Sequence, residues 1–193
     1  YSKENLVLIQ KIRSWFQPLF YFIIAKTTFF IHNNEAFLLT IIIKLFSSFI
    51  GFLSIYYFYN ITKNHFKQSI SQKIYLLLTF LFWFYPFLHA RTSQENLSIS
   101  FLFLSIALYF QIKDKFKLST YLVLGLLLSL TFVLRYNLGI SILFLVIWDF
   151  LYSKKTLKLK ILSYCIFIIV GLVLLIIELL VNIWGYDVQL NNI

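Results

Sequence analysis

ILSYCIFIIVGLVLLIIELLVNIW, residues Ile161 to Trp184, carries one charged side chain, Glu178. An α-helix rises about 1.5 Å per residue, and about 20 apolar residues cross the hydrocarbon core of a bilayer. The stretch is long enough, and it is not alone. Moving toward the N-terminus, further apolar runs cover Leu138 to Tyr152, Ser119 to Arg135, Asn96 to Phe110, Ile74 to His89 and Ala36 to Tyr59. A shorter run, Pro18 to Ile31, is brief, holds Lys26 in its middle and is a doubtful span.

Composition excludes the soluble alternative. Charged residues make up 12% of the chain and hydrophobic ones 61%, whereas a water-soluble domain covers itself with about 25% charged residues. A signal peptide does not account for the pattern, because the hydrophobicity persists to the end. The predicted fold class is all-α, a polytopic transmembrane helical bundle of about six to seven membrane segments. No repeat or low-complexity linker divides it. One domain is expected over 1–193, with 1–17 a juxtamembrane outer segment and 18–193 the membrane bundle. The sequence contains no methionine, so Tyr1 is not expected to be a native start, and these residues are expected to be a piece of a longer chain.

Net charge is +10, but the lysines sit in short loops between apolar runs, so no nucleic acid is expected as a partner. Lys63, Lys67 and Lys73 occupy one such loop, Lys113, Lys115 and Lys117 another, and Lys154, Lys155, Lys158 and Lys160 a third. The three alternate along the chain, and the positive-inside rule places them in the cytoplasm. The arginines behave differently. Arg91 and Arg135 fall at the opposite rim, and Arg13 is expected there too. Guanidinium grips phosphate oxygens bidentately, so outward arginines suggest an anionic headgroup; snorkelling anchors are the plainer alternative.

Two outer turns carry the chemistry. In HARTSQENLS, His89 to Ser98, Thr92 and Glu95 have capping-box spacing, which explains them as the start of a helix. His89 and Arg91 are left over, beside a helix N-terminus that already attracts anions. In RYNLG, Arg135 to Gly139, the arginine closes an outward-going helix, while Tyr136 and Asn137 offer stacking and hydrogen bonds to a sugar. Lys44 and Glu178 lie inside apolar runs, where ionisable groups line cavities or pair between helices. His32 and His65 read as loop residues, no histidine cluster has metal-ligand spacing, and Cys165 reads as a small buried hydrophobe. The sequons beginning at Asn60 and Asn96 abut spans and carry little weight.

Four stretches resemble GT-C glycosyltransferases of family 22, the dolichyl-phosphate-mannose-dependent mannosyltransferases of N-glycan and GPI assembly and their bacterial relatives. KIRSWFQPLFYF is similar to their R-S-W-x-x-P element, and HARTSQENLS to their R-T-x-x-x-E/S element. GLLLSLTFVLRYNLGI resembles their G-L-x-x-G-L-x-F-x-x-R-Y/F-Q segment, with Asn137 in place of glutamine. LLVNIWGYD resembles their L-I-D-x-x-Y-G element, with Asn182 where an aspartate is usual. The matches fall in the family's order along nearly the whole chain.

The resemblance implies a GT-C-like bundle and an inverting transfer of a hexose, mannose-like, from a polyprenyl-phosphate sugar to a glycan or glycolipid acceptor. Donor phosphate and sugar contacts would fall to Arg13, Trp15, His89, Arg91, Thr92, Glu95, Arg135, Tyr136 and Asn137. The family's base is an acid in the first outer loop, ahead of the R-S-W element, and is expected upstream of Tyr1. The catalytic residue is therefore unknown here, the fragment alone is expected to be inactive, and no cofactor is indicated. The membrane would be a bacterial inner membrane or the endoplasmic reticulum, with the site facing periplasm or lumen. A transporter or flippase of a lipid-linked anion would also want outward arginines, although the repeated broken spans common in transporters are not visible. A non-catalytic assembly subunit is a third reading.

Overall fold

The computed structural model describes residues 15–29, 36–63, 69–81, 93–112, 117–153 and 155–191, and every regular element among them is helical. In order they are α1 (Phe16–Phe29), α2 (Ala36–Thr62), α3 (Ser69–Leu81), α4 (Gln94–Ile112), α5 (Leu118–Leu134), a 3-10 turn (Tyr136–Leu138), α6 (Gly139–Tyr152) and α7 (Leu157–Asn191). Tyr1 and most of the expected juxtamembrane segment 1–17 lie outside the described residues.

Each expected span has a helical counterpart, but three have the length and apolarity to cross a membrane: Phe37–Thr62, Glu95–Ile112 and Leu157–Gly185. The expected six to seven segments therefore reduce to three full-length ones among the described residues. The reason is helix length. α1, α3 and α6 have 14, 13 and 14 residues, or about 20 Å of rise against about 30 Å of hydrocarbon. α5, with 17 residues, falls just short. The run expected to reach His89 is described only as far as Leu81.

Lipid tails are as apolar as leucine, so helices in a bilayer associate through close packing and polar contacts rather than hydrophobic burial. The sequence supplies both. Ser47 and Ser54 of α2 are fully buried, as are Ser98, Ser100 and Ser105 of α4. Their small side chains let the two backbones approach. Lipid offers no hydrogen bonds, so the hydroxyls bond back to their own helices, Ser54 to the Gly51 carbonyl at 2.7 Å and Ser100 to that of Asn96 at 2.9 Å. Across this seam the Asn96 side-chain amide donates to Ser47 Oγ at 2.9 Å.

The α5–α7 seam uses the same device. A Cβ on Gly125 would lie 3.3 Å from the Phe167 ring, and one on Gly171 would lie 3.5 Å from Ser129 Oγ. α5 also packs on α4, so α2, α4, α5 and α7 form a continuous row, and α1 leans across it to touch α2, α5 and α7. α6 is attached lightly to α5 and to the turn before it. Outward faces of α2, α6 and α7 are lined with exposed Leu, Ile and Phe, as lipid-facing surfaces are.

Contacts fix the two ends of the row. At one end Tyr57 pairs with Gln111, and Asp149 gathers Tyr109, Lys155 and Tyr164. Lys63, Lys117, Lys158 and Lys160 belong to the same end, with Trp148 and Tyr152 packed at 4.3 Å between ring centroids. At the other end Glu95 meets Arg135. Described lysines from all three loops thus share one end of the row, opposite Glu95 and Arg135.

Candidate functional site

At the arginine end the helices stop at different heights. Asn96, in the first turn of α4, touches Ser47, so α2 runs on from that level to Ala36, about 16 Å further. The Gly125–Phe167 and Ser129–Gly171 contacts set α5 alongside α7, which continues roughly 20 Å past the level of Arg135. The start of α4 and the end of α5 thus form a floor, with α2, α7 and α1 rising around it.

Arg135 and Glu95 meet on that floor, guanidinium Nη2 to carboxylate Oε1 at 2.6 Å. Their side chains are 41% and 56% exposed, so the pair is open to a ligand. An exposed pair of this kind holds by about 0–1 kcal/mol, weak enough for an anion to displace. Local backbone explains the position. α5 ends because Arg135 is extended (φ −152°, ψ 91°), its N–H returning to the Thr131 carbonyl. Tyr136 and Asn137 follow in the 3-10 turn, both exposed.

The cap of α4 is Ser93, whose Oγ accepts from the Asn96 N–H at 3.3 Å. Glu95, expected to fold back onto the helix start, reaches across to Arg135. Asn96, the first residue of a sequon, is buried in the seam with Ser47.

The second junction joins α1 to α7. The first N–H groups of a helix have no partner within it. Just before α1, the Trp15 backbone N–H donates to Asn182 Oδ1 at 2.7 Å. Gly185, one turn further along α7, makes room: a Cβ there would come within 2.4 Å of the Trp15 ring. Asparagine keeps the acceptor oxygen that an aspartate would offer, so the departure at Asn182 leaves this contact intact.

Of the residues expected to hold the donor, Arg13, His89, Arg91 and Thr92 lie outside the described residues. Tyr1, the point upstream of which the base is expected, lies outside them as well. Glu95 and Arg135 are brought together, and Tyr136 and Asn137 follow Arg135 directly. Trp15 is tied to α7.

Beneath the Tyr136–Leu138 turn an apolar groove of about 320 Å³ runs between α5, α6 and α7, lined among others by Phe132, Gly139, Ile142, Val146 and Leu175. Among the described residues no cluster of His, Cys, Asp and Glu could hold a metal ion.

Two of the stretches singled out in the sequence meet at Trp15 and Asn182, and two others meet at Glu95 and Arg135. The profile of the Alg9-like mannosyltransferase family matches residues 9–187, which takes in all four. The chain belongs to the Alg9-like mannosyltransferase family. That family is associated with glycosyl transfer from polyprenyl-phosphate sugars. No curated protein and no solved structure matches the chain.

The main feature that sequence reading missed is the group around Asp149. This carboxylate is 4% exposed and Lys155 is 9% exposed. Asp149 Oδ1 accepts from Lys155 Nζ at 2.9 Å and from the Tyr109 hydroxyl at 2.9 Å, and Oδ2 accepts from the Tyr164 hydroxyl at 3.1 Å. Lys155 Nζ also lies 4.9 Å from the Tyr121 ring centroid. The available signal was an aspartate ending an apolar helix just ahead of a lysine loop. It binds the lysine end together, far from Arg135.

Proposed function

We propose that the protein is an integral-membrane inverting glycosyltransferase that moves a hexose, mannose, from a polyprenyl-phosphate sugar to a lipid-linked or surface glycan. The observation that carries this reading is the Glu95–Arg135 contact. It sets an arginine at the N-terminus of α4, where free N–H groups and the helix dipole already favour an anion. As the glycosidic bond breaks, the leaving polyprenyl phosphate gains charge, so a cation held there helps the transition state more than the ground state.

The arrangement also suits the rest of the donor. Its headgroup would displace Glu95 from Arg135, its isoprenoid chain would lie in the groove below the Tyr136–Leu138 turn, and Tyr136 and Asn137 would face the sugar. Arg13, His89 and Arg91 are the further residues assigned to the donor's phosphate and sugar. The base is expected from a loop that precedes Tyr1. The lysine end is read as cytoplasmic, and the arginine end as facing periplasm or lumen.

The test is transfer of labelled mannose from polyprenyl-phosphate mannose to a glycan acceptor by the full-length protein in liposomes. Loss of one anion-stabilising contact costs about 2–4 kcal/mol in barrier, so Arg135→Ala should lose most turnover per folded molecule. Arg135→Lys keeps the charge without the planar fork and should fall between. Movement of the lipid-linked sugar across the bilayer with no transfer would make the protein a flippase and overturn the proposal.

A further inference from the structure

A second cavity, also about 320 Å³, opens between α1 and α2 and is lined by Gln17, Pro18, Tyr21, Thr40 and Ile43. Its chemistry is the reverse of the apolar groove. An amide, a phenol and an aliphatic hydroxyl share its wall with two apolar side chains, and no charged group is among its described lining. Gln17 is 93% buried, at 7% exposure, and the Tyr21 hydroxyl is buried as well. Thr40 sits on the opposing helix at the exposed side.

Polar side chains set among lipid-facing helices are costly, and where they gather they mark a cavity with a use. The place is specific too. Gln17 follows Trp15, which is held to α7 through Asn182, and Thr40 lies two turns above Ser47, where α2 meets the start of α4. The cavity therefore belongs to the wall that rises around the Glu95–Arg135 floor.

We propose that this cavity is a pyranose-binding subsite, taking one uncharged hexose ring. Neutral donors and acceptors suit sugar hydroxyls, the apolar Pro18 and Ile43 suit the C–H face of a ring, and a lining without cations gives a phosphate no counter-charge. Cavities of roughly 300 Å³ upward, mostly apolar with a few placed polar groups, are the usual size and make-up of small-ligand sites. The assignment rests on the glycosyl-transfer reading for its role, because the ring could belong to the acceptor or to the donor's sugar.

The experiment uses the full-length protein with Gln17→Leu, Thr40→Val and a filling variant, Thr40→Phe. Each change is near-isosteric or lies at the exposed rim, and thermal unfolding in detergent checks that folding is kept. Acceptor and donor KM are measured separately, and methyl α-mannoside is titrated by saturation-transfer NMR as a readout independent of turnover. The expected result is a rise in one KM of tenfold or more: acceptor KM if the ring is the acceptor's, donor KM if it is the donor's. Loss of the mannoside signal in Thr40→Phe should accompany it. If wild type transfers no sugar but binds the mannoside through these residues, the transfer reading fails and the subsite stands. Unchanged KM values and an unchanged mannoside signal in stable variants would overturn the subsite.

Discussion

A carboxylate taken out of water is costly unless its charge and lone pairs are met, and Asp149 shows how completely that can be done. Lys155 neutralises it, while Tyr109 and Tyr164 reach it from α4 and α7. Removing one member of a buried pair strands the other and typically costs about 3–5 kcal/mol. Asp149→Ala should therefore lower the thermal midpoint strongly, and so should Lys155→Ala. Replacing both with apolar residues of similar size, Asp149→Leu with Lys155→Leu, should recover much of the loss, because a buried pair is often no more stabilising than good apolar packing. Unfolding in detergent measures all three. Additive losses in the double variant would show that the two charges act independently, against the geometry. The Glu95–Arg135 pair should behave otherwise. It is half-exposed, so breaking it should leave stability nearly unchanged and register in donor binding. The same chemical pair thus has opposite meanings at the two ends of the bundle, and burial decides which.

For helices, the test lies in how α1 is held. Its start is fixed from α7, through Asn182 and the space left by Gly185. A methyl group at Gly185 would sit 2.4 Å from Trp15 Cγ and 3.0 Å from its Cβ, atoms close to the backbone that cannot swing aside. Gly185→Ala should displace Trp15, break its bond to Asn182 and cost about 1–3 kcal/mol, the usual scale of overpacking. Gly171→Ala is the control, since its nearest neighbour, Ser129 Oγ, lies at an ordinary 3.5 Å. Equal thermal midpoints for the two variants would refute the close packing at Trp15. This junction also marks where sequence reading stops. Apolar runs locate helices well, because lipid demands them: five of the six long runs lie within one or two turns of a described helix. Ends are less legible. α7 starts at Leu157 rather than Ile161 and reaches Asn191, since lysine stems and polar residues continue a helix beyond the hydrocarbon without penalty. Ser93 caps α4, next to Thr92, which lies outside the described residues. Trp15 and Asn182 were each conspicuous, but they lie 167 residues apart, and no local pattern records a contact over that distance.

The whole molecule has a polarity that neither residue nor helix displays alone. Lysines, a buried ion pair and stacked aromatics gather at one end, and the Glu95–Arg135 floor with its rising walls forms the other. Lysine-rich connections are retained in the cytoplasm during insertion, so the candidate site should face away from it. A labelling experiment can read this directly. Cys165, expected to be buried, is exposed on α7, so the background is Cys165→Ala. Single cysteines then replace Lys117 and Thr156 at the lysine end and Asn137 at the other, all at exposed positions. A charged, membrane-impermeant maleimide should reach Asn137→Cys in intact cells, and reach Lys117→Cys and Thr156→Cys only after permeabilisation. Ser153 would be a poor choice, because it is 8% exposed and a thiol there would stay silent for lack of access. The reverse pattern would turn the arginine end to the cytoplasm and place the donor in the wrong leaflet for the proposed reaction. Labelling of all three in intact cells would break the alternation itself. Then α5 and α6 would not carry the chain across, and the shared floor of Glu95 and Arg135 would have to form some other way.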